Sequence, residues 1–125
     1  MIVGLGTDIV SIDRINNALT RHGRQFAEKI LTENELEQFD RLKQNHKYLA
    51  KRFAVKEAAS KALGTGMSEG ITWHNITLKH DLHGKPLLCL AGKAQERADM
   101  LGATRLLITL SDEKHYAVAF VVLES

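Results

Sequence analysis

The sequence predicts an α+β fold, with a mainly antiparallel sheet packed against one long central helix, as a single domain over residues 1–125. Three observations carry this. β-rich apolar runs open and close the chain, at Ile2–Val10, Arg105–Leu110 and His115–Leu123. An alanine-rich run from Lys47 to Leu63 has no proline or interior glycine and meets Gly64 as a natural stop. Between them, β-forming stretches flank the turn Asp81-Leu82-His83-Gly84-Lys85-Pro86, the pattern of a hairpin. A chain of 125 residues buries one real core but not two ordinary ones.

The elements follow in order. After the first strand, Ser11 is placed to cap a helix carrying Ile12, Ile15, Ala18 and Leu19 at helical spacing, and Gly23 breaks or bends it. Thr32-Glu33-Asn34-Glu35 has the capping-box pattern, so a second helix is expected to begin there. The long helix comes next. Ile71-Thr72-Trp73 and Ile76-Thr77-Leu78-Lys79 read as strand, pairing with Leu87–Leu90. Ala91–Leu101 reads as a helix ended by Gly102, and the last two strands join tightly at Asp112-Glu113-Lys114. The final strand is apolar on both faces. Helices in a chain this size can cover one face, so the other suggests a neighbouring subunit.

Composition excludes several functions. With 17 basic and 15 acidic residues the net charge is +2, too balanced for a dedicated nucleic-acid binder. The single cysteine, Cys89, cannot form an internal disulfide, and within Leu87-Leu88-Cys89-Leu90 it reads as a buried thiol that suits a reducing cytosol. The N-terminal apolar stretch is short and interrupted by Gly4, Gly6 and Asp8, so no leader and no membrane span is expected. The expectation is a cytoplasmic protein. His80 and His83 lie in a turn without cysteines or a third ligand, which argues against zinc.

Chemistry concentrates at two segments, Gly4-Leu5-Gly6-Thr7-Asp8 and Lys56-Glu57-Ala58-Ala59-Ser60-Lys61 running into Gly64-Thr65-Gly66. Asp8 reads equally as a turn or helix cap and as a metal ligand. Glu57 and Lys61 share a helix face, where an ordinary surface pair is the plain reading. Together with Asp8 they acquire another. Magnesium takes hard oxygen ligands and commonly uses one or two carboxylates, with substrate phosphates and water completing its shell. Asp8 and Glu57 can supply that pair while Lys61 meets a phosphate. Gly64-Thr65-Gly66 reads first as a helix terminus and otherwise as backbone that approaches a phosphate closely. Neither a dinucleotide fingerprint nor a Walker loop is present. Arg14, Arg21 and Arg24 are either a solvated helix face or a docking patch for an acidic protein.

On Gly4-Leu5-Gly6-Thr7-Asp8-Ile9-Val10, Arg14-Ile15, the run Arg52–Gly66, Gly84-Lys85-Pro86 and Tyr116-Ala117-Val118-Ala119, the chain resembles the holo-acyl-carrier-protein synthase family of 4′-phosphopantetheinyl transferases. The likeness runs essentially end to end. It implies the 4′-phosphopantetheinyl transferase fold and transfer of the phosphopantetheine arm of coenzyme A to a serine of apo acyl carrier protein. Adenosine 3′,5′-bisphosphate is released, and the carrier is activated for fatty acid synthesis. It implies Asp8 and Glu57 as magnesium ligands and Asp8, Glu57 and Lys61 as the catalytic set. Coenzyme A would be met by Lys61, Gly64, Thr65, Gly66 and Arg52, and the carrier by Arg14, Arg21 and Arg24. The family forms homotrimers with active sites at subunit interfaces.

Many relatives have histidine where this chain reads Asp112, so no base is assigned there. A metal-bound or metal-adjacent water, or Glu57, would take the serine proton. Two rival readings stay open on the residues alone: a non-catalytic nucleotide- or protein-binding module, and a different magnesium-dependent phosphate enzyme.

Overall fold

The computed structural model describes residues Met1–Ser125. Strand β1 (Ile2–Ser11) leads into α1 (Ile12–His22), α2 (Arg24–Ile30), α3 (Glu33–Arg41) and the long α4 (His46–Ala62). A 3-10 turn (Trp73–Asn75), the hairpin β2 (Ile76–His80) and β3 (Pro86–Leu90), helix α5 (Gly92–Met100), β4 (Arg105–Asp112) and β5 (Tyr116–Glu124) complete the chain. The main sheet is antiparallel in the order β1-β5-β4, and β2-β3 form a separate two-stranded sheet.

Helix boundaries follow local chemistry. The Ser11 Oγ accepts from the Arg14 N–H at 3.3 Å, and Gly23 takes a positive φ of 68° between α1 and α2. Thr32 and Glu35 form the expected capping box. At the far end of α4, Gly64 turns with φ of 79°, and the Arg97 guanidinium donates through Nε to the Leu63 carbonyl at 2.9 Å.

Helix α4 lies on the sheet, and glycine makes this possible. A Cβ on Gly6 would stand 1.9 Å from the Ala58 carbonyl oxygen, and one on Gly4 would stand 2.2 Å from that of Ala62. No larger residue fits either position. Across the sheet, Gly4, Gly6 and Asp8 oppose Leu123, Val121 and Ala119, and Leu106, Ile108 and Leu110 of β4 continue the same face. Ala54, Ala58 and Ala62 are buried with Ala117, Ala119, Val121 and Leu123 in the core between helix and sheet.

The other sheet face carries Leu5, Ile9, Tyr116, Val118 and Phe120, all exposed. The two-sided apolarity of the last strand therefore becomes one face under α4 and one face open.

Three expectations need correction. The segment Arg24–Ile30 forms a helix of its own, so the capping box at Thr32 opens the third helix and not the second. Residues 71–73 do not extend the hairpin. The Thr72 N–H binds the Asn75 side chain at 3.0 Å and the Trp73 carbonyl accepts from Lys56 at 3.1 Å, so side chains satisfy backbone groups that a ladder would otherwise hold. Cys89 is half-buried, not buried.

Candidate active site

The two-residue repeat of β1 puts Gly4, Gly6, Asp8 and Val10 on the face toward α4. Because the glycines let the helix settle directly on the strand, the Asp8 carboxylate meets the last turn of α4. Its Oδ1 accepts from Lys61 Nζ at 3.0 Å, and the same ammonium donates to the Thr7 carbonyl at 3.0 Å. Lys61 is 53% exposed against 16% for Asp8, so the pair contributes about 1 kcal/mol or less to stability. One ammonium proton has no protein acceptor.

Glu57 sits one turn earlier and is half-buried. It does not pair with Lys61. Its Oε1 accepts from the Trp73 indole N–H at 2.9 Å. Asp8 and Glu57 line one cleft of about 410 Å³ with Ser11, Arg14, Phe26 and Phe53. Asp8 does not cap α1, since Ser11 does. Of the two plain readings of these acids, cap and surface pair, neither describes the fold.

The donor set suits magnesium. Each carboxylate commits one oxygen to a protein donor and keeps a second, Asp8 Oδ2 and Glu57 Oε2, facing no hydrogen-bond donor of the chain. No three His, Cys, Asp or Glu side chains converge, and magnesium does not require them to when phosphate and water supply the remaining oxygens.

Apart from Arg14, and from Lys61, which pairs with Asp8, the other site residues singled out from the sequence do not line this cleft. Arg52 lines a second cleft of about 540 Å³ with Tyr48, Lys79 and His80, and shares none of its lining with the first. Its guanidinium stacks 3.6 Å above the Tyr48 ring, and its Nε, 3.8 Å from Glu35 Oε2, makes no hydrogen bond. Burial holds Arg52 below the usual arginine range and, with the Arg52 and Lys51 charges, pulls His80 down as well.

Gly64, Thr65 and Gly66 spend their N–H groups on the end of α4, bonding Lys61 and Ser60 carbonyls at 3.0, 3.4 and 3.1 Å respectively. Beside Gly66 the space is open. Arg14 lines the cleft and Arg21 is exposed on the same helix. Arg24 is already engaged, donating to Asp40 at 3.0 and 2.8 Å and to Glu28 at 2.6 Å, which raises its pKa and lowers that of Asp40.

Sequence reasoning missed the support beneath Glu57. Lys56 is entirely buried, yet its three ammonium donors reach the Ile30 carbonyl at 2.7 Å, Glu35 Oε1 at 2.7 Å and the Trp73 carbonyl at 3.1 Å. Burial pushes Lys56 below the ordinary lysine range, and the Glu35 charge offsets part of that. Glu35 also accepts from the Thr32 and Leu78 N–H groups at 3.0 and 3.2 Å. One capping-box acid thus joins α3, α4 and β2. The capping-box pattern flagged Glu35 for its local role; nothing in the spacing paired it with Lys56.

The comparisons agree with this architecture. Residues 4–121 match the model of the 4′-phosphopantetheinyl transferase superfamily. A holo-[acyl-carrier-protein] synthase of Vibrio cholerae is 57% identical over 124 residues, covering 99% of this chain and 98% of the relative. The crystal structure of holo-[acyl-carrier-protein] synthase from Neisseria meningitidis superposes with a TM-score of 0.91 at 43% identity over 100% of both chains. That from Helicobacter pylori, in complex with coenzyme A, superposes with a TM-score of 0.83 at 30% identity, covering 96% and 99%. This chain belongs to the 4′-phosphopantetheinyl transferase superfamily and, within it, to the holo-[acyl-carrier-protein] synthase type.

Proposed function

We propose that this protein transfers the 4′-phosphopantetheine group of coenzyme A to a serine of apo acyl carrier protein, releasing adenosine 3′,5′-bisphosphate and activating the carrier for fatty acid synthesis. The convergence of Asp8, Glu57 and Lys61 at one end of the β1–α4 contact carries the reading. We read residues 1–125 as one transferase domain acting in the cytoplasm; no helix is long and apolar enough to cross a membrane.

Phosphoryl transfer asks for positioning and for charge stabilisation, with little covalent work by the protein. The serine oxygen forms a bond to the β-phosphorus of coenzyme A as the bond from that phosphorus to the bridging oxygen breaks. The nucleotide departs with the electron pair. Lys61, held by Asp8 and Thr7 with a donor to spare, meets a phosphate oxygen as that charge grows. Asp8 Oδ2 and Glu57 Oε2 are the oxygens that would hold magnesium, which supplies Lewis-acid neutralisation of the diphosphate when bound. The serine proton passes to Glu57 or to a water beside it.

For the rest of coenzyme A, the Gly64-Thr65-Gly66 turn, with open space beside Gly66, follows Lys61 just past the end of α4. Arg52, with its guanidinium poorly paired, is a fitting partner for a more distant anionic group. The acidic carrier meets Arg14 at the cleft and Arg21 beyond it. Arg24 would first exchange Asp40 and Glu28 for a carrier carboxylate, so docking rests on the other two. The open apolar sheet face supports association with further copies, which we read as the homotrimer with interfacial active sites that the family resemblance implies.

Intact-mass spectrometry of apo acyl carrier protein, incubated with this protein, coenzyme A and magnesium, tests the reading. A phosphopantetheine mass gain that EDTA abolishes is expected. No gain with folded protein and competent carrier would replace transfer by binding alone or by another acceptor.

A further inference from the structure

Trp73 is the one tryptophan of the chain, and its indole N–H is spent on a carboxylate of the proposed site. The bond to Glu57 Oε1, at 2.9 Å, crosses from the 3-10 turn to α4. Three further contacts hold the tryptophan where it is. Its carbonyl accepts from the buried Lys56 ammonium at 3.1 Å. Its ring packs on Phe53, with centroids 6.3 Å apart, and Phe53 lines the cleft. The turn that carries it is closed by Asn75, which accepts from the Thr72 N–H through its side chain and donates its own N–H to the Thr72 carbonyl, both at 3.0 Å.

Lys56 and Glu57 are neighbours in sequence, and both reach Trp73, one through its carbonyl and one through its indole. The tryptophan is therefore clamped at backbone and ring by consecutive residues of α4. A glutamate on a helix has three side-chain torsions, and free in solvent its carboxylate samples several wells. A donor fixed on one oxygen removes most of that freedom.

We propose that Trp73 is a positioning residue, whose indole N–H holds Glu57 Oε1 so that Oε2 is presented to a magnesium–diphosphate group. This rests on the reading of Glu57 as a metal ligand. Groups that orient metal ligands in this way typically change metal affinity or activity about 10–100-fold when lost. Trp73 is also an optical reporter, because any change at Glu57 alters the hydrogen bond of the only indole present.

The test uses calorimetric titration of magnesium, with coenzyme A present and carrier protein absent, into wild type, Trp73→Phe and Glu57→Gln, together with tryptophan emission in the two proteins that retain it. Trp73→Phe keeps an aromatic ring on Phe53 and deletes the donor. It is expected to bind magnesium about 10-fold or more weakly, with the melting temperature within a few degrees of wild type. Glu57→Gln is expected to lose both the binding and the emission change that magnesium causes in wild type. Where Trp73→Phe loses stability, replacing Trp73 by 3-benzothienylalanine preserves ring size and removes only the N–H. Wild-type magnesium affinity in a folded donor-less protein, with Glu57→Gln impaired, would overturn the positioning role alone. Unimpaired magnesium binding by Glu57→Gln would overturn the ligand reading on which it rests.

Discussion

At Asp112 the carboxylate of β4 pairs with Lys47 Nζ at 2.9 Å and Lys51 Nζ at 3.5 Å, both from the first turns of α4. The Lys47 hydrogen bond, ahead of the Lys51 charge, lowers its pKa below the usual carboxylate value of 3.8. A depressed folded pKa stabilises fully above the unfolded value and is lost as pH falls through the folded one. Asp112→Asn should therefore melt lower than wild type at pH 7, by about 1 kcal/mol or less for a partly exposed pair. The two melting curves should converge as the pH drops below 3.8, which thermal denaturation across an acid series reads directly. A constant gap at every pH would assign the effect to packing. An aspartate held ionised by two lysines accepts hydrogen bonds and donates none. Asp8, Glu57 and Lys61 were singled out from the sequence only in combination, since alone each has a plain reading as cap or surface pair; the structure joins Asp8 to Lys61 and sets Glu57 in the same cleft as Asp8. Trp73 was not singled out. Its role depends on a contact 16 positions from Glu57 that no helical or strand period contains.

Secondary elements place those residues through one close approach. Gly6→Ala would set a methyl group 1.9 Å from the Ala58 carbonyl, a backbone atom that cannot swing aside. The strand must then lift from α4. We expect a loss of about 3 kcal/mol or more in chemical denaturation, at the upper end of overpacking costs, with activity falling further because Asp8 moves with the strand. An alanine variant of wild-type stability and activity would refute this contact. Gly4 and Gly6, which in the sequence only interrupt an apolar run ahead of Asp8, prove to be room for a helix. The long helix, the hairpin and the capping box were legible from propensity and punctuation. Helix α2 escaped because seven residues offer too little periodicity, and the 71–73 segment because buried Lys56 overrides its β propensity through the Trp73 carbonyl.

The whole molecule leaves one sheet face bare. Leu5, Ile9, Tyr116, Val118 and Phe120 stand together on β1 and β5, opposite the face that α4 covers. Such a contiguous apolar surface on a small protein marks an interaction site. Phe120→Glu should convert the proposed trimer to monomer in light scattering after gel filtration, while the face under α4 stays packed. A trimer unchanged by that charge would move the interface elsewhere. This face was legible in the two-sided apolarity of the last strand.

The proposed joint action of Asp8 and Glu57 on magnesium and the coenzyme A diphosphate is the point on which fold, site and reaction meet. Transfer to apo acyl carrier protein, followed across a magnesium titration for wild type, Asp8→Asn and Glu57→Gln, examines it. Each variant should fold, lose about 100-fold or more in turnover, and need more magnesium to reach its maximum. Turnover at the wild-type rate with wild-type magnesium dependence in either variant would contradict the two-carboxylate site.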